Sequence, residues 1–468
     1  LQSHGTVGSH PQPPSKPGRP PLSSPARPFP PSMETTTSTK SSTGRGRTPL
    51  SVMVIVICAL AFAGILFAED LRALTGTSIL KLRACSRQDA VADSSRASTE
   101  KEDEVALEDD YEEEGKAAAF DPGRCSVAEG KWVFNSSAKP LYSDSSCPYL
   151  DKAVRCMKNG RPDGDYQSWE WQLDDCNLPR FDPAGALEKL RGKRLMFVGD
   201  SLQRGQWQSF VCMVEAMIPP HQKSMKPSRS LSVFKAKEYN ASVEFYWAPF
   251  LVESNSDVPI ITDADKRILR LDSISKHARH WVGVDILVFN TYVWWMSGLK
   301  IKSLWGSFTN GEEGYEHLEA TVAYRIGLKT WANWVDSTLN PNETRVFFTT
   351  MSPTHMRSTD WKGKKGKGCY NETKPVMERG YWGSGSDRKM MGVVTSVVGK
   401  MRVPVAFLNI TQLSEYRKDG HTSVYARSQA KVVDEEQMPA QPRRHADCIH
   451  WCLPGVPDTW NRVLFAHL

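Results

Sequence analysis

A serine that follows an apolar segment is the first residue of this sequence with catalytic potential. In "LMFVGDSLQRGQW", residues 195–207, four mostly apolar residues lead to Gly199, Asp200 and Ser201, and amphipathic sequence follows. The pattern predicts a buried strand and then a helix that begins near the serine. Free backbone N–H groups and the helix dipole at such a position stabilise developing negative charge, as a nucleophilic serine requires. The alternative is that Ser201 only caps the helix.

A histidine and an aspartate near the C-terminus are candidates for activating this serine. A serine hydroxyl needs a base before it can act as a nucleophile. In "HADCIHWCLPGVPDTWN", residues 445–461, Asp447 lies three residues before His450, and a helical turn or a tight loop would direct both side chains the same way. The aspartate would then orient the imidazole, whose other nitrogen faces the serine. The alternative is a structural histidine in a cysteine-bound loop.

Short apolar strands that alternate with helical sequence must position these residues. Strands are predicted at 194–200, 283–290, 344–353 and 403–411, an antiparallel or edge strand at 241–253, and a long amphipathic helix at 312–340. This alternation predicts an α/β fold with a mainly parallel central sheet flanked by helices. Active sites of such sheets lie at the carboxyl ends of the strands. Ser201, Asn290 and the "SPTH" sequence at 352–355 are therefore expected at one edge.

The sequence before residue 120 differs from this pattern and predicts a membrane-anchored protein. Residues 1–49 are rich in Pro, Ser and Thr and are interpreted as a disordered cytosolic tail, in which 1–32, before "METTTS", form an upstream extension of the gene model. Residues 50–68 carry no charge, and as a helix they would span about 28 Å. They are interpreted as a transmembrane signal anchor, with a cleaved signal peptide as the alternative. Basic residues before the span predict that the part of the chain after residue 68 lies in the lumen. An acidic flexible stem at 69–119 would connect the span to the folded part.

Cysteines and glycosylation sequons also indicate an oxidising, luminal compartment. A Cys- and Trp-rich segment at 120–182 precedes the predicted catalytic domain at 183–468. The disulfide candidates are Cys125, Cys147, Cys156, Cys176, Cys212, Cys369, Cys448 and Cys452. Helical spacing argues against a bond between Cys448 and Cys452, so each is expected to bond to a distant cysteine, with Cys369 and Cys156 as candidates. The predicted glycosylation sites are Asn135, Asn240, Asn342, Asn371 and Asn409. No C-x-x-C pair occurs, and no metal site is predicted.

Taken together, these motifs resemble a known enzyme family. Gly-Asp-Ser after the first strand and Asp-x-x-His near the chain end resemble the SGNH (GDSL-like) esterases and acyltransferases. The stretches "FVGDSLQRGQWQS", "WEWQLDDCNLPRFD", "SPTHMRSTDW" and "DCIHWCLPGVPDTWN" are similar to those of the plant trichome birefringence-like proteins. That resemblance covers roughly residues 122–468 and implies a Golgi polysaccharide O-acetyltransferase, with xylan favoured as acceptor.

The resemblance also implies roles for individual residues. Ser201 would be the nucleophile, His450 the base and Asp447 its acidic partner. Asn290 matches the position at which the superfamily supplies an oxyanion donor, and Gly199 belongs to the same predicted oxyanion and substrate region. The sequence reads Arg204-Gly205-Gln206 where many members of the family have Arg-Asn-Gln, which leaves the acceptor undetermined.

Three further residues are candidates for contacts with substrate. Arg204 lies one turn into the helix and would point back over Ser201 to stabilise an oxyanion, with a surface ion pair as the alternative. His355 is a candidate substrate contact or a structural residue. Trp294 is a candidate sugar-stacking platform, as are Trp169, Trp171, Trp295, Trp361 and Trp382, although most tryptophans belong to cores.

The function that the sequence predicts is transfer of acetyl groups, through an acetyl-serine, to 2-O or 3-O of xylosyl residues in the Golgi. The protein would be a single-pass type II Golgi membrane protein. It would bind no resident cofactor and no nucleic acid, and would use an acetyl donor such as acetyl-CoA. The alternatives are a polysaccharide acetyl esterase of the same superfamily and a catalytically inert carbohydrate-binding wall protein.

Overall fold

Strands and helices alternate along the part of the chain that this computed structural model describes, residues 118–258, 260–305, 314–366, 368–426 and 446–468. The strands are β1 (Ala118–Ala119), β2 (Gly130–Phe134), β3 (Trp169–Leu173), β4 (Cys176–Asn177), β5 (Arg194–Gly199), β6 (Lys223–Lys226), β7 (Leu231–Ala236), β8 (Ala241–Trp247), β9 (Glu253–Ser254), β10 (Ile268–Arg270), β11 (Ile286–Phe289), β12 (Lys300–Leu304), β13 (Tyr315–Glu319), β14 (Arg345–Thr349), β15 (Val405–Leu408), β16 (His421–Ser423) and β17 (Asp447–Trp451). The helices are α1 (Pro183–Lys189), α2 (Ser201–Glu215), α3 (Ser275–Ala278), α4 (Ala320–Thr338), α5 (Arg388–Val398), α6 (Thr411–Glu415) and α7 (Val456–His467).

A central sheet of seven strands has the order β15-β14-β11-β5-β8-β7-β6. The strands from β15 to β8 are all parallel to their neighbours. β7 and β6 extend the sheet as an antiparallel hairpin. The predicted α/β fold with a mainly parallel central sheet is therefore confirmed.

The period-2 alternation of side chains along β5 explains why helices cover both faces of the sheet. Leu195 and Phe197 pack into the core on one face, and Met196 and Val198 pack into the core on the other. All four side chains are fully buried. A parallel strand that is apolar on both faces needs cover on both.

Different helices provide that cover on each face. Phe210 of α2 and Val463 of α7 belong to the core that contains Leu195 and Phe197. Trp331 of α4 and Val394 of α5 belong to the core on the opposite face. The serine-bearing helix α2 and the C-terminal helix α7 thus lie on the same side of the sheet.

The Cys- and Trp-rich segment packs against the α/β part through a hairpin of β2 and β3. The indole N–H of Trp132 on β2 donates to the carbonyl oxygen of Leu413 at 2.7 Å. Trp171 on β3 packs beside Tyr416, with ring centroids 5.8 Å apart. A disulfide between Cys125 and Cys176 closes this segment. The contacts show why Trp132 and Trp171 are buried although the segment has little regular structure.

The predicted long helix at 312–340 is wrong at its N-terminal end. The helix begins at Ala320, and Tyr315–Glu319 form strand β13. β13 pairs antiparallel with β12, which satisfies its backbone hydrogen bonds outside a helix. Cross-strand pairing has overridden local helical propensity at this point.

The prediction of an antiparallel or edge strand at 241–253 is also only partly correct. β8 is antiparallel to β7, but it is parallel to β5 on its other side and lies inside the sheet. All seven of its residues are buried. The hairpin of β6 and β7 extends the sheet beyond β8, to which β7 is joined by a short turn, and β6 forms the edge instead.

The helices of the described residues include none that is long and apolar enough to cross a membrane. The predicted tail, anchor and stem at 1–117 lie outside the described residues.

Candidate active site

The junction of β5 and α2 presents the Ser201 hydroxyl at the carboxyl edge of the sheet. Asp200, not Ser201, is the helix N-cap, because its Oδ1 accepts a hydrogen bond from the Leu202 N–H at 2.8 Å. Asp200 is fully buried, and this burial raises its pKa to about 6. With the cap supplied by its neighbour, the Ser201 hydroxyl is left for another partner.

Gly199 lets this junction pack closely against the next strand. A Cβ atom at this position would lie 2.5 Å from the main-chain oxygen of Asn290 and 2.8 Å from Cβ of Gln203. Any side chain would therefore push β5 and α2 away from the residue that follows β11. The role of Gly199 in the structure is this close approach of backbones.

The partner of Ser201 is His450, which is itself held by Asp447. The Ser201 hydroxyl lies 2.7 Å from Nε2 of His450, and Nδ1 of His450 lies 2.7 Å from Oδ2 of Asp447. The aspartate also accepts the N–H groups of Ile449 and His450 through Oδ1, both at 3.0 Å. Asp447 therefore fixes both the backbone turn and the imidazole ring, and leaves Nε2 to accept from the serine.

Electrostatics favour an ionised Asp447 beside His450. Burial by itself lowers the pKa of His450, but the hydrogen bond and the charge of Asp447 outweigh burial and raise it above the ordinary value. Burial raises the pKa of Asp447, whereas its hydrogen bonds with His450 dominate and hold it well below its ordinary value. The two side chains remain 35% and 27% exposed, so solvent and substrate can reach them.

The expected helical turn or tight loop for this pair is corrected by the structure. Asp447–Trp451 form β17, which pairs antiparallel with β16. The side chains meet although the segment is extended, because Oδ1 of Asp447 bonds to the following N–H groups. This local side-chain-to-backbone turn competes with regular pairing, and the register shifts between His421 and Ser423 opposite it.

Two disulfides hold the strand that carries His450. Cys369 bonds to Cys448, and Cys156 bonds to Cys452. Both bonds join the partners that the sequence suggested. The argument from helical spacing against a Cys448–Cys452 bond is wrong, because Cys448 lies within β17 and Cys452 directly follows it. The fourth disulfide of the described residues joins Cys147 to Cys212 of α2.

We expect removal of the Cys369–Cys448 bond to reduce activity more than it reduces folding. In the double variant Cys369→Ala/Cys448→Ala, β17 loses one anchor beside His450, and a displacement of about 1 Å at a reacting group costs roughly 10²-fold in rate. Turnover and the far-UV circular dichroism spectrum are the measurements. The matched control is Cys125→Ala/Cys176→Ala, which removes a disulfide of the N-terminal segment. Equal losses of turnover in both variants would contradict a local role.

The structure places Arg204 and Asn290 at this edge but does not direct either at Ser201. The Arg204 guanidinium packs over the rings of Phe245 and Trp247, 5.1 and 5.3 Å from their centroids. The Asn290 amide donates to the carbonyl oxygens of Thr349 and Thr350 at 3.0 and 3.2 Å. The amide nitrogen is thus bound to main-chain carbonyl oxygens and is not directed at an oxyanion in this conformation.

His355 is buried beside β17, the strand that carries His450, and is not exposed at the active site. It is 1% exposed, and its main-chain N–H donates to the Cys448 carbonyl at 2.9 Å. Its Nδ1 lies 2.7 Å from Nε2 of His421, whose Nδ1 in turn lies 3.1 Å from the carbonyl oxygen of His450. Burial lowers the pKa of His355 to about 4. His355 therefore has the structural role given as its alternative.

The tryptophans predicted as sugar platforms have different surroundings. Trp171 and Trp295 are buried in the cores, so they are excluded as platforms. Trp294 is partly buried, and one face of its ring is covered by the Arg267 guanidinium, 4.0 Å from the ring centroid. Trp294 also meets the edge of Trp247, which lies under Arg204. It therefore supports the wall beside Ser201 and is not an open platform on that face.

Sequence reasoning missed two supports of the site. The first is Asp200 as the helix cap, which the order Asp-Ser at the start of amphipathic sequence would have indicated. The second is Trp451, whose indole N–H donates to Ser352 Oγ at 2.9 Å and whose ring stacks on His421 with centroids 3.9 Å apart. Nothing local signals that contact, because it joins residues far apart in the sequence.

The predicted glycosylation sites differ in exposure. Asn240, Asn342 and Asn371 are exposed, whereas Asn135 and Asn409 are half-buried. Within the described residues, no group of three or more His, Cys, Asp or Glu side chains is arranged to hold a metal ion.

Comparison with protein families places this fold and site in a known group. The PC-esterase model, described as the GDSL/SGNH-like acyl-esterase family found in Pmr5 and Cas1p, matches residues 178–467. The PMR5 N terminal domain matches residues 123–177. The chain belongs to the PC-esterase family, and the resemblance inferred from the sequence motifs is confirmed.

Individual relatives agree along most of the chain. Protein trichome birefringence-like 3 of Arabidopsis thaliana is 57% identical over 432 residues, which cover 91% of this chain and 98% of the relative. Probable xylan O-acetyltransferase 8 of Oryza sativa subsp. japonica is 55% identical over 435 residues, with the same shares covered. Xylan O-acetyltransferase 6 of the same rice is 48% identical over 352 residues, 74% of this chain and 63% of the relative.

Proposed function

We propose that this protein transfers acetyl groups to hydroxyls of a cell-wall polysaccharide, with xylan as the favoured acceptor. The observation that carries the proposal is the hydrogen-bonded set of Ser201, His450 and Asp447 at the carboxyl edge of the sheet. The relatives named as xylan O-acetyltransferases support the choice of acceptor. An acetyl donor such as acetyl-CoA is the second substrate.

The first half-reaction loads the acetyl group onto the serine. His450 Nε2 takes the proton of the Ser201 hydroxyl while Oγ attacks the carbonyl carbon of the acetyl donor. Asp447 holds the ring through Nδ1 and stabilises the imidazolium that forms. The Ser201 N–H at the start of α2, which has no other hydrogen-bond partner in the described part of the chain, is available to the oxyanion. The donor leaves with the proton from His450.

The second half-reaction moves the acetyl group to the sugar. A polysaccharide hydroxyl gives its proton to Nε2 of His450 and attacks the acetyl carbon, and the Ser201 oxygen leaves with the proton returned by the imidazole. Water can follow the same path, so transfer requires the acceptor to exclude it. A polysaccharide acetyl esterase is the second candidate function, favoured by the acyl-esterase description of the family.

The covalent intermediate gives the direct test. Incubation of the full chain with acetyl-CoA alone is expected to add the mass of one acetyl group to the intact protein, and Ser201→Ala is expected to remain unmodified. Unacetylated xylo-oligosaccharide added to the loaded protein should then become acetylated, as read by mass spectrometry and NMR. Release of free acetate in place of acetylated sugar would support the esterase, and an acetyl group on Ser201→Ala would contradict the mechanism.

The finer parts of the proposal concern the cellular location of the protein and the sugar hydroxyl that is acetylated. We propose a single-pass Golgi membrane protein with the described residues in the lumen, and the disulfides support an oxidising compartment. Acetylation at 2-O or 3-O of xylosyl residues is the proposed regiochemistry. Protease protection of a C-terminal tag in intact vesicles tests the topology, and NMR of the product identifies the acetylated hydroxyl.

A further inference from the structure

Arg204 carries a positive charge that the protein leaves without a hydrogen-bond partner. Its guanidinium donates no hydrogen bond to any residue of the described chain, although the side chain is only 29% exposed. The nearest acid is Asp151, whose Oδ2 lies 3.9 Å from Nη1 and whose side chain is 54% exposed, so this ion pair is long and open to solvent. Phe245 and Trp247 cover one face of the guanidinium plane.

Arg204 lines a cavity together with a second arginine, Arg229. It has a volume of about 530 Å³, and its wall consists of Arg204, Pro227, Ser228, Arg229, Val258 and Ile260. Arg229 is exposed and forms no ion pair within the described residues. The described lining contains two guanidinium groups and no acidic side chain, so the lining side chains carry net positive charge, with Asp151 outside the lining 3.9 Å from Arg204.

The walls of the cavity are held by hydrogen bonds within each loop. Arg229 lies in the turn between β6 and β7, where Ser232 Oγ accepts from the Ser228 N–H and donates to the Ser228 carbonyl oxygen, at 3.1 and 3.0 Å. On the opposite wall, Ser256 Oγ bonds to the main chain of Ile261 at both its N–H and its carbonyl. Val258 and Ile260 on this wall are 45% and 43% exposed, so the cavity has an apolar surface as well as the two arginines.

The cavity shares Arg204 with the helix that carries the nucleophile. Arg204 follows Ser201 by three residues on α2, and residues at this spacing have Cβ atoms about 5–6 Å apart on one helix face. The charge of Arg204 acts on His450, where it opposes the rise in the pKa of the imidazole. An anion held by Arg204 would therefore be bound by the same helix that presents Ser201.

We propose that the Arg204–Arg229 cavity binds an anionic group of one of the two substrates. The group is either the carboxylate of an acidic sugar branch on the polysaccharide or a phosphate of the acetyl donor, since guanidinium forks pair with both in a bidentate manner. Val258 and Ile260 would pack against the apolar part of the same ligand. The inference rests on the proposed function, because it assigns a subsite to one of the substrates of acetyl transfer.

Binding measured without turnover tests this proposal separately from catalysis. The full chain with Ser201→Ala serves as the background, and isothermal titration calorimetry is carried out with three probes. The probes are a xylo-oligosaccharide with one uronic acid branch, the same oligosaccharide without the branch, and coenzyme A. Arg229→Gln is the test variant, and Lys226→Gln on the same hairpin, outside the cavity lining, is the matched control for loss of one positive charge.

The two sources of the anion give different expected results. If the subsite binds a carboxylate, Arg229→Gln should weaken binding of the branched probe about tenfold, as expected for loss of one charge-assisted hydrogen bond. Binding of the unbranched probe should not change. A phosphate subsite predicts the same loss for coenzyme A alone. Unchanged binding of all three probes by Arg229→Gln, or an equal loss in Lys226→Gln, would overturn the proposal. These outcomes hold whether or not acetyl transfer is detected in the unmodified protein.

Discussion

Replacing Ser201 or His450 by alanine should lower turnover by roughly 10⁴- to 10⁶-fold, and the double variant should be little worse than either single one. The Ser201 hydroxyl and His450 Nε2 are 2.7 Å apart and perform one step together, the transfer of a proton as Oγ attacks. Loss of either residue therefore removes the whole nucleophilic step. The activity that remains would come from substrate binding and the main-chain N–H of residue 201 at the start of α2.

Acetyl transfer from acetyl-CoA to xylo-oligosaccharide is the measurement for this series. Ser337→Ala and His317→Ala are the matched controls, since both residues are exposed and lie on α4 and β13. Both controls should retain the activity of the unmodified protein, and all variants should have its far-UV circular dichroism spectrum. Additive losses in the double variant, or full activity in Ser201→Ala, would show that the two residues do not act as one unit.

Replacing Asp447 by asparagine should lower turnover by roughly 10²- to 10⁴-fold. An asparagine amide can donate to Nδ1 of His450, and this favours the tautomer in which Nε2 carries the proton and cannot accept the one from Ser201. The main-chain N–H groups of Ile449 and His450 can still bond to the amide oxygen, so β17 should keep its turn. The loss therefore reports on the tautomer more than on the fold.

The pH dependence of the same variant has a defined sign. His450 must be neutral to act as a base, and Asp447 raises its pKa, so the activity of the unmodified protein should fall as the pH decreases through this raised value. Removing the negative charge leaves burial, which lowers the pKa of His450, as the dominant influence. The acid limb of the residual activity of Asp447→Asn should therefore move to lower pH. A limb that stays in place, or moves to higher pH, would contradict the assignment of His450 as the base.

The chemistry of the site could be predicted from sequence because it depends on residue types at short spacing. The strand before Ser201 is apolar on both faces, and Asp447 and His450 are three residues apart, so each half of the site was identifiable in its own segment. The order of the sheet could be predicted only in part. β8 was predicted only as an antiparallel or edge strand, because its parallel pairing with β5 spans the intervening helix α2 and has no local signal.

The sequence by itself determined the mainly parallel α/β fold, the family, and Ser201, Asp447 and His450 as candidates. Only the tertiary structure decided that these three residues meet, that Asp200 caps the helix, and that the Asn290 amide binds the main chain at the end of β14. The physical reason is the distance along the sequence over which each interaction acts. Hydrophobic periodicity and capping act over a few residues, whereas the bond between Ser201 and His450 joins positions 249 residues apart and depends on how the whole chain packs.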